Sequence, residues 1–164
     1  ISQKALRQCK KKLNYKSNKI TFFKSDAFNV KNWARELNKL KSQNKRKILI
    51  SMWYIVHEIS DNNKFKIIKF FNEIKKYCPD ANVLIGEIIK VDNEILSENR
   101  DISILPEFLF FHEISGQGVL NINDFNYIKK KIPYSLINSY EFDYVKSKKK
   151  KIPSAIIWHL SPKK

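Results

Sequence analysis

Three glycines, five prolines and two cysteines are all that this chain of 164 residues holds of the residue types that punctuate or cross-link a fold. Cys9 and Cys78 stand far apart with no CxxC and no Cys/His cluster around them, which excludes a disulfide framework and a thiolate zinc site. Two such thiols suit a reducing, cytoplasmic setting. No uncharged apolar run reaches the roughly eighteen residues of a membrane span. The best candidate, KILISMWYIV, is stopped by His57 and Glu58. The segment ISQKALRQCKKKL has the pattern of a basic helix and not of a signal peptide. GxGxG is absent, and the one repeated tetrapeptide, HEIS at His57 and His112, recurs in two different surroundings.

Arginine is also scarce: Arg7, Arg35, Arg46 and Arg100 are the only four among 32 basic residues, against 16 acidic ones. The formal charge of +16 raises nucleic acid as a partner, because clustered cations release counterions when they meet phosphate. Lysine, however, is a poorer phosphate fork than arginine. In a chain also rich in Asn and Ile, as AT-biased coding produces, the charge reads first as a solvated lysine surface. With 43% hydrophobic and 13% aromatic residues, the length supports one globular domain, 1–164, with its own core.

Hydropathy periods divide that domain. Ser2 can cap a helix to about Asn14, Ile20 to Phe23 reads as a short strand, and Val30 to Leu40 is helical. Lys47 to Val56 lacks polar alternation and reads as a strand buried on both faces. Ser60-Asp61 can cap a helix with Phe65, Ile68, Phe71 and Ile74 on one face, stopped at Pro79. Asn82 to Ile89 is a second buried strand, followed by an acidic loop from Asp92 to Asp101. Leu105 to Ile114 reads as a core helix, with Pro106 in its first turn. Asn123-Asp124 can cap another helix, through Ile132. Ser135 to Tyr144 and Ser154 to Leu160 form a hairpin at one edge of the sheet, His159 being an edge residue, across the basic stretch KSKKKK.

The centre of this reading is a parallel β-α-β unit from Lys47 to Glu87. Ligands of open α/β sheets bind beyond the carboxyl ends of the strands, so His57, Glu58 and Glu87 stand where chemistry is expected. A neutral imidazole takes a proton near neutral pH, and an acid on its far nitrogen fixes the tautomer. His57 with Glu87 makes that pair, and Glu58 is a second candidate acid. A zinc-protease reading fails, since HExxH needs histidine at position 61 and finds Asp61, and Gly116 fails the same test after His112.

The order strand, Ser25-Asp26-Ala27-Phe28, helix, strand, His57-Glu58-Ile59-Ser60-Asp61, helix, Pro79-x-Ala81, strand, Gly86-Glu87 resembles the later part of class I S-adenosylmethionine-dependent methyltransferases. It is most similar to the small-molecule O-methyltransferases. The resemblance implies an α/β, Rossmann-like methyltransferase sheet, mostly parallel, in the order 3-2-1-4-5-7-6 and ending in the antiparallel hairpin. It implies His57 as general base with Glu87 orienting it, Asp26, Ala27, Phe28, Met52 and Trp53 near S-adenosylmethionine, and His112 and Glu113 at the substrate. Glu58 stands where the family has Asp, Ile59 where it has Trp, and Trp53 where plant members often have Lys. The family's first two strands, with the Gly-rich cofactor loop, would precede Ile1, so the chain reads as a partial catalytic domain, inactive alone and binding cofactor weakly. The intact protein would transfer methyl to a hydroxyl of a small molecule and, like its relatives, pair as a homodimer through a further N-terminal helical domain. A nucleic-acid methyltransferase lacks support, with no Asn/Asp-Pro-Pro-Tyr motif and an acidic rim at Glu87, Glu94, Glu98, Glu107 and Glu113. A basic, non-catalytic nucleic-acid-binding module is the competing reading.

Overall fold

A computed structural model describes residues 7–8, 25–44, 47–61, 63–97, 105–116, 118–146 and 151–164. Within them the elements are α1 (Val30–Asn44), β1 (Leu49–Trp53), α2 (Val56–Ser60), α3 (Lys64–Tyr77), β2 (Asn82–Ile88), α4 (Asn93–Ser97), α5 (Leu105–Ile114), α6 (Ile122–Lys131), β3 (Tyr134–Lys146) and β4 (Lys151–Pro162). The strand expected at Ile20–Phe23 and most of the helix expected from Ser2 lie outside the described residues.

The four strands form one mixed sheet in the order β1-β2-β4-β3. β1 and β2 run parallel, joined by the crossover through α2 and α3, whereas β2–β4 and β4–β3 are antiparallel. The chain is thus an α/β fold, and its C-terminal hairpin is present with a register shift between Leu136 and Asn138. Among the described residues the sheet is not mostly parallel, because only one crossover helix connection lies between its strands. His159 is not at an edge: β4 sits inside the sheet, between β2 and β3.

Side chains alternate across the strands, so one face is buried and the other is not. Ile50 and Met52 of β1, Val83 and Ile85 of β2, and Ile156, Trp158 and Leu160 of β4 turn to a core shared with Ile67, Phe70, Phe71 and Ile74 of α3 and Phe125 and Ile128 of α6. Val30 and Ala34 of α1 pack into the same core. At about 25 cal/mol per Å² of apolar surface removed from water, this layer is the main source of stability. The opposite face carries Leu49 and Trp53, which are 58% and 49% exposed. β1 is therefore not buried on both faces as its unbroken apolar run suggests. It is one of the two edge strands of the sheet among the described residues, with helices packed on one side.

The expected apolar face of α3 shifts as well. Phe65 is exposed, and Ile67 and Phe70 are the buried residues with Phe71 and Ile74. Its cap is Asn63, whose side chain accepts the Phe65 amide at 3.0 Å, in place of Ser60-Asp61. For α6 the cap is Asn121, which accepts the Asp124 amide at 3.0 Å, two residues before the expected position. Both are Asn side chains satisfying a free first-turn amide.

β1 ends three residues earlier than its apolar run. Tyr54 takes φ 52°, a left-handed conformation that stops the strand, while its amide still donates to Gly86 O at 2.9 Å. The chain then enters α2, so His57 lies on a short helix just past the strand and not on the strand itself.

Candidate active site

Glu87 is the second-last residue of β2, and its side chain faces the start of α2. It is 2% exposed. Its Oε2 accepts the backbone amides of Val56 at 2.8 Å and His57 at 3.3 Å. Its Oε1 accepts the Ile88 amide at 2.9 Å and lies 2.9 Å from His57 Nδ1. Ile55, the residue before α2, supplies no side-chain cap, so the Glu87 carboxylate caps this helix from the neighbouring strand. A carboxylate only accepts, and its backbone partners only donate. The proton of His57 therefore belongs on Nδ1, and Nε2 carries the lone pair.

The imidazole is 4% exposed. Burial opposes charging it, but the hydrogen bond and charge of Glu87, then the charge of Glu58, outweigh this and raise its pKa above 6.5. Glu58 Oε1 lies 3.6 Å from Nε2, on the side away from Glu87. Helix α2 closes with Asp61 in a left-handed conformation, its amide donating to His57 O at 3.2 Å. Ser60 Oγ lies 2.8 Å from both His57 O and Gly118 O, which ties α2 to the segment after α5.

His57 and Glu58 line a cavity of about 580 Å³, within the range of small-molecule sites. Phe28, Ile59 and Phe70 give it apolar walls, and Asp61, Lys66, Lys69 and Glu73 give it charged ones. Ser115 and Gly116, just beyond α5, complete it. No protein-family model matches this chain, and no curated protein matches it.

The structure brings His57, Glu58 and Glu87 together. Phe28 joins them across the cavity, 50% exposed. Asp26 is exposed next to it, its Oδ1 accepting the Phe28 amide at 2.9 Å, and Ala27 O accepts Trp33 Nε1 at 3.0 Å. Met52 lies in the core and Trp53 on the open sheet face, its ring against Gly86. Trp53 Nε1 donates to Ser51 Oγ at 2.8 Å. His112 is buried against His57 without lining the cavity, and Glu113 is exposed.

As a holder for S-adenosylmethionine this set divides. Phe28 offers this cavity an aromatic face on which an adenine ring can stack, Asp26 stands beside Phe28 outside the cavity lining, and buried Met52 does not line this cavity. Among the described residues no cluster of His, Cys, Asp and Glu could hold a metal ion. None of their helices is long and apolar enough to cross a membrane.

Lys66, Lys69, Phe70 and Glu73 were not singled out by sequence reasoning. Their spacing of i, i+3, i+4 and i+7 is a helical stripe and was legible as one face of α3. Nothing local indicated that this face meets a cavity, because the opposite wall comes from Phe28 and from Ser115-Gly116, about forty residues away on either side.

Proposed function

We propose that this chain carries the acid-base centre of an S-adenosylmethionine-dependent methyl transfer to a hydroxyl group of a small molecule. The observation that carries the reading is the buried His57–Glu87 pair, set at the carboxyl ends of two parallel strands, with His57 opening on a cavity. The sheet order β1-β2-β4-β3 supports it, being the 4-5-7-6 part of the order that the methyltransferase resemblance implies.

In this mechanism the acceptor hydroxyl lies in the cavity against Phe28, Ile59 and Phe70, with its proton directed to His57 Nε2. As the proton moves, His57 becomes an imidazolium, and Glu87 at 2.9 Å stabilises the new charge without moving. The pre-set hydrogen bonds of Glu87 to α2 make that geometry rigid, and holding reactants in line is most of what methyl transfer requires. S-adenosylmethionine, when bound, supplies the sulfonium methyl as electrophile, with Phe28 and Asp26 as its contacts in this chain.

The test is an NMR titration of the full chain with S-adenosylhomocysteine. Weak, saturable shifts at Asp26 and Phe28, retained in His57→Ala, are expected. If these signals stay still while the protein binds generic RNA or DNA with a steep salt dependence, the basic, non-catalytic module replaces this reading. Methyl transfer to a hydroxylated acceptor that survives in His57→Ala would remove His57 as the base.

A further inference from the structure

His57 is fixed at Nδ1 by Glu87, yet an imidazole held at one nitrogen can still swivel about that bond. What blocks the swivel comes from α5. His112 stands edge-to-face with the His57 ring, with centroids 4.7 Å apart and planes at 85°. Phe108 meets the same ring at 5.8 Å and 86°. Phe108 and His112 are themselves stacked, at 3.9 Å and 29°, so together they form one slab across the His57 ring.

The slab is itself anchored. His112 Nδ1 lies 2.7 Å from Phe108 O, which can only accept, so this nitrogen donates and the ring is locked to its own helix. Ser115 Oγ donates to His112 O at 3.2 Å. Leu109, between the two rings in sequence, packs with Val91 and Val119, and Phe108 packs against that cluster. His112 is 8% exposed, and the residues beyond α5 that reach the cavity are Ser115 and Gly116.

We propose that His112 is a positioning residue for His57, one half of an aromatic slab that holds the imidazole with Nδ1 on Glu87 and Nε2 turned to the cavity. Its role in turnover rests on the methyl-transfer reading, but the restraint on His57 does not, and the two are tested separately. His112 thereby acts through His57 and not as a substrate contact.

The experiment compares His112→Ala, which removes half of the slab, with His112→Phe, which keeps a flat ring and loses the bond to Phe108 O. In the full chain, labelled on histidine, the His57 Nδ1 proton is followed by NMR together with the urea midpoint. His112→Ala is expected to speed exchange of that proton by about tenfold through local opening, while His112→Phe stays near the wild type. An unchanged exchange rate in His112→Ala, or an equal loss in His112→Phe, overturns the proposal. Where methyl transfer is measured, His112→Ala lowers kcat by about 10- to 100-fold at unchanged KM, as a misplaced base does. A change in KM alone would make His112 a substrate contact and overturn it as well. Signals of Asp26 and Phe28 that stay still on addition of S-adenosylhomocysteine defeat the functional reading, and the exchange measurement still decides the role of His112.

Discussion

Replacing Glu87 with glutamine leaves the shape of the side chain and turns one acceptor oxygen into a donor. All four partners of the native carboxylate point at it: the amides of Val56 and His57 at one oxygen, and the Ile88 amide and His57 Nδ1 at the other. If the new NH2 occupies the Oε2 position, two amides lose their acceptor. If it occupies the Oε1 position, the Ile88 amide alone is orphaned, and His57 can respond by moving its proton from Nδ1 to Nε2. The second arrangement is the cheaper one and is the expected outcome. One orphaned, part-buried donor and the loss of charge-assisted bonds cost about 2–4 kcal/mol. At roughly 2–4 °C per kcal/mol for a chain of this size, the melting temperature falls by about 5–15 °C. The tautomer switch also removes the Nε2 lone pair, so any general-base rate falls by about 10²- to 10⁴-fold. Urea unfolding gives the stability loss, and nitrogen chemical shifts of labelled His57 give the tautomer. A Glu87→Gln variant with an unchanged urea midpoint and its proton still on Nδ1 would refute the argument that Glu87 both caps α2 and sets the histidine.

Three further outcomes follow from the same geometry. Because the His57 pKa is raised in the fold, the native state holds this proton more tightly than the unfolded chain does. The resulting stabilisation is complete below about pH 6.5 and is lost as pH rises through the folded value, so the urea midpoint declines over that window in the wild type and less so in His57→Gln. Gly86→Ala places a Cβ against the Trp53 ring, which has to swing away, at about 1–3 kcal/mol. Trp53→Ala in the same chain recovers most of that loss, and urea midpoints of the single and double variants check it. Asn121→Ala removes the acceptor of the Asp124 amide at the start of α6 and costs about 1 kcal/mol by chemical denaturation.

The parallel β-α-β unit was legible because its signals are local: two apolar runs, a helical period between them, and Pro79 closing the helix. The pairing of His57 with Glu87 was legible for a related reason, since residues at the carboxyl ends of neighbouring parallel strands are brought close together. What the sequence concealed depends on neighbours. The run from Ile48 to Val56 is equally apolar whether one face or both are covered, so the exposure of Leu49 and Trp53 could not be read from it. Leu105 to Ile114 is apolar all round and reads as a core helix, yet Phe110, Phe111 and Ile114 are exposed while His112 is buried. His112 is turned inward by contacts with His57 and Phe108, and a period count does not contain them. The left-handed Tyr54 gave no signal at all, because that conformation is ordinarily announced by glycine or asparagine.

Tyr54 bears on stiffness as well as on shape. A residue with a β-carbon in the left-handed region sits about 1–2 kcal/mol above its preferred conformation, and the surrounding fold has to hold it there. The reward is a hinge with few alternatives: tyrosine has far fewer backbone states than glycine, so the step from β1 into α2, three residues before His57, is short of conformational freedom. Tyr54→Gly relieves the strain and frees the hinge at once, exchanging enthalpic relief for backbone entropy in the unfolded chain. The variant can match the wild type in a melting curve and still hold His57 less firmly, a difference visible in the backbone order parameters of residues 55–58 and invisible to calorimetry.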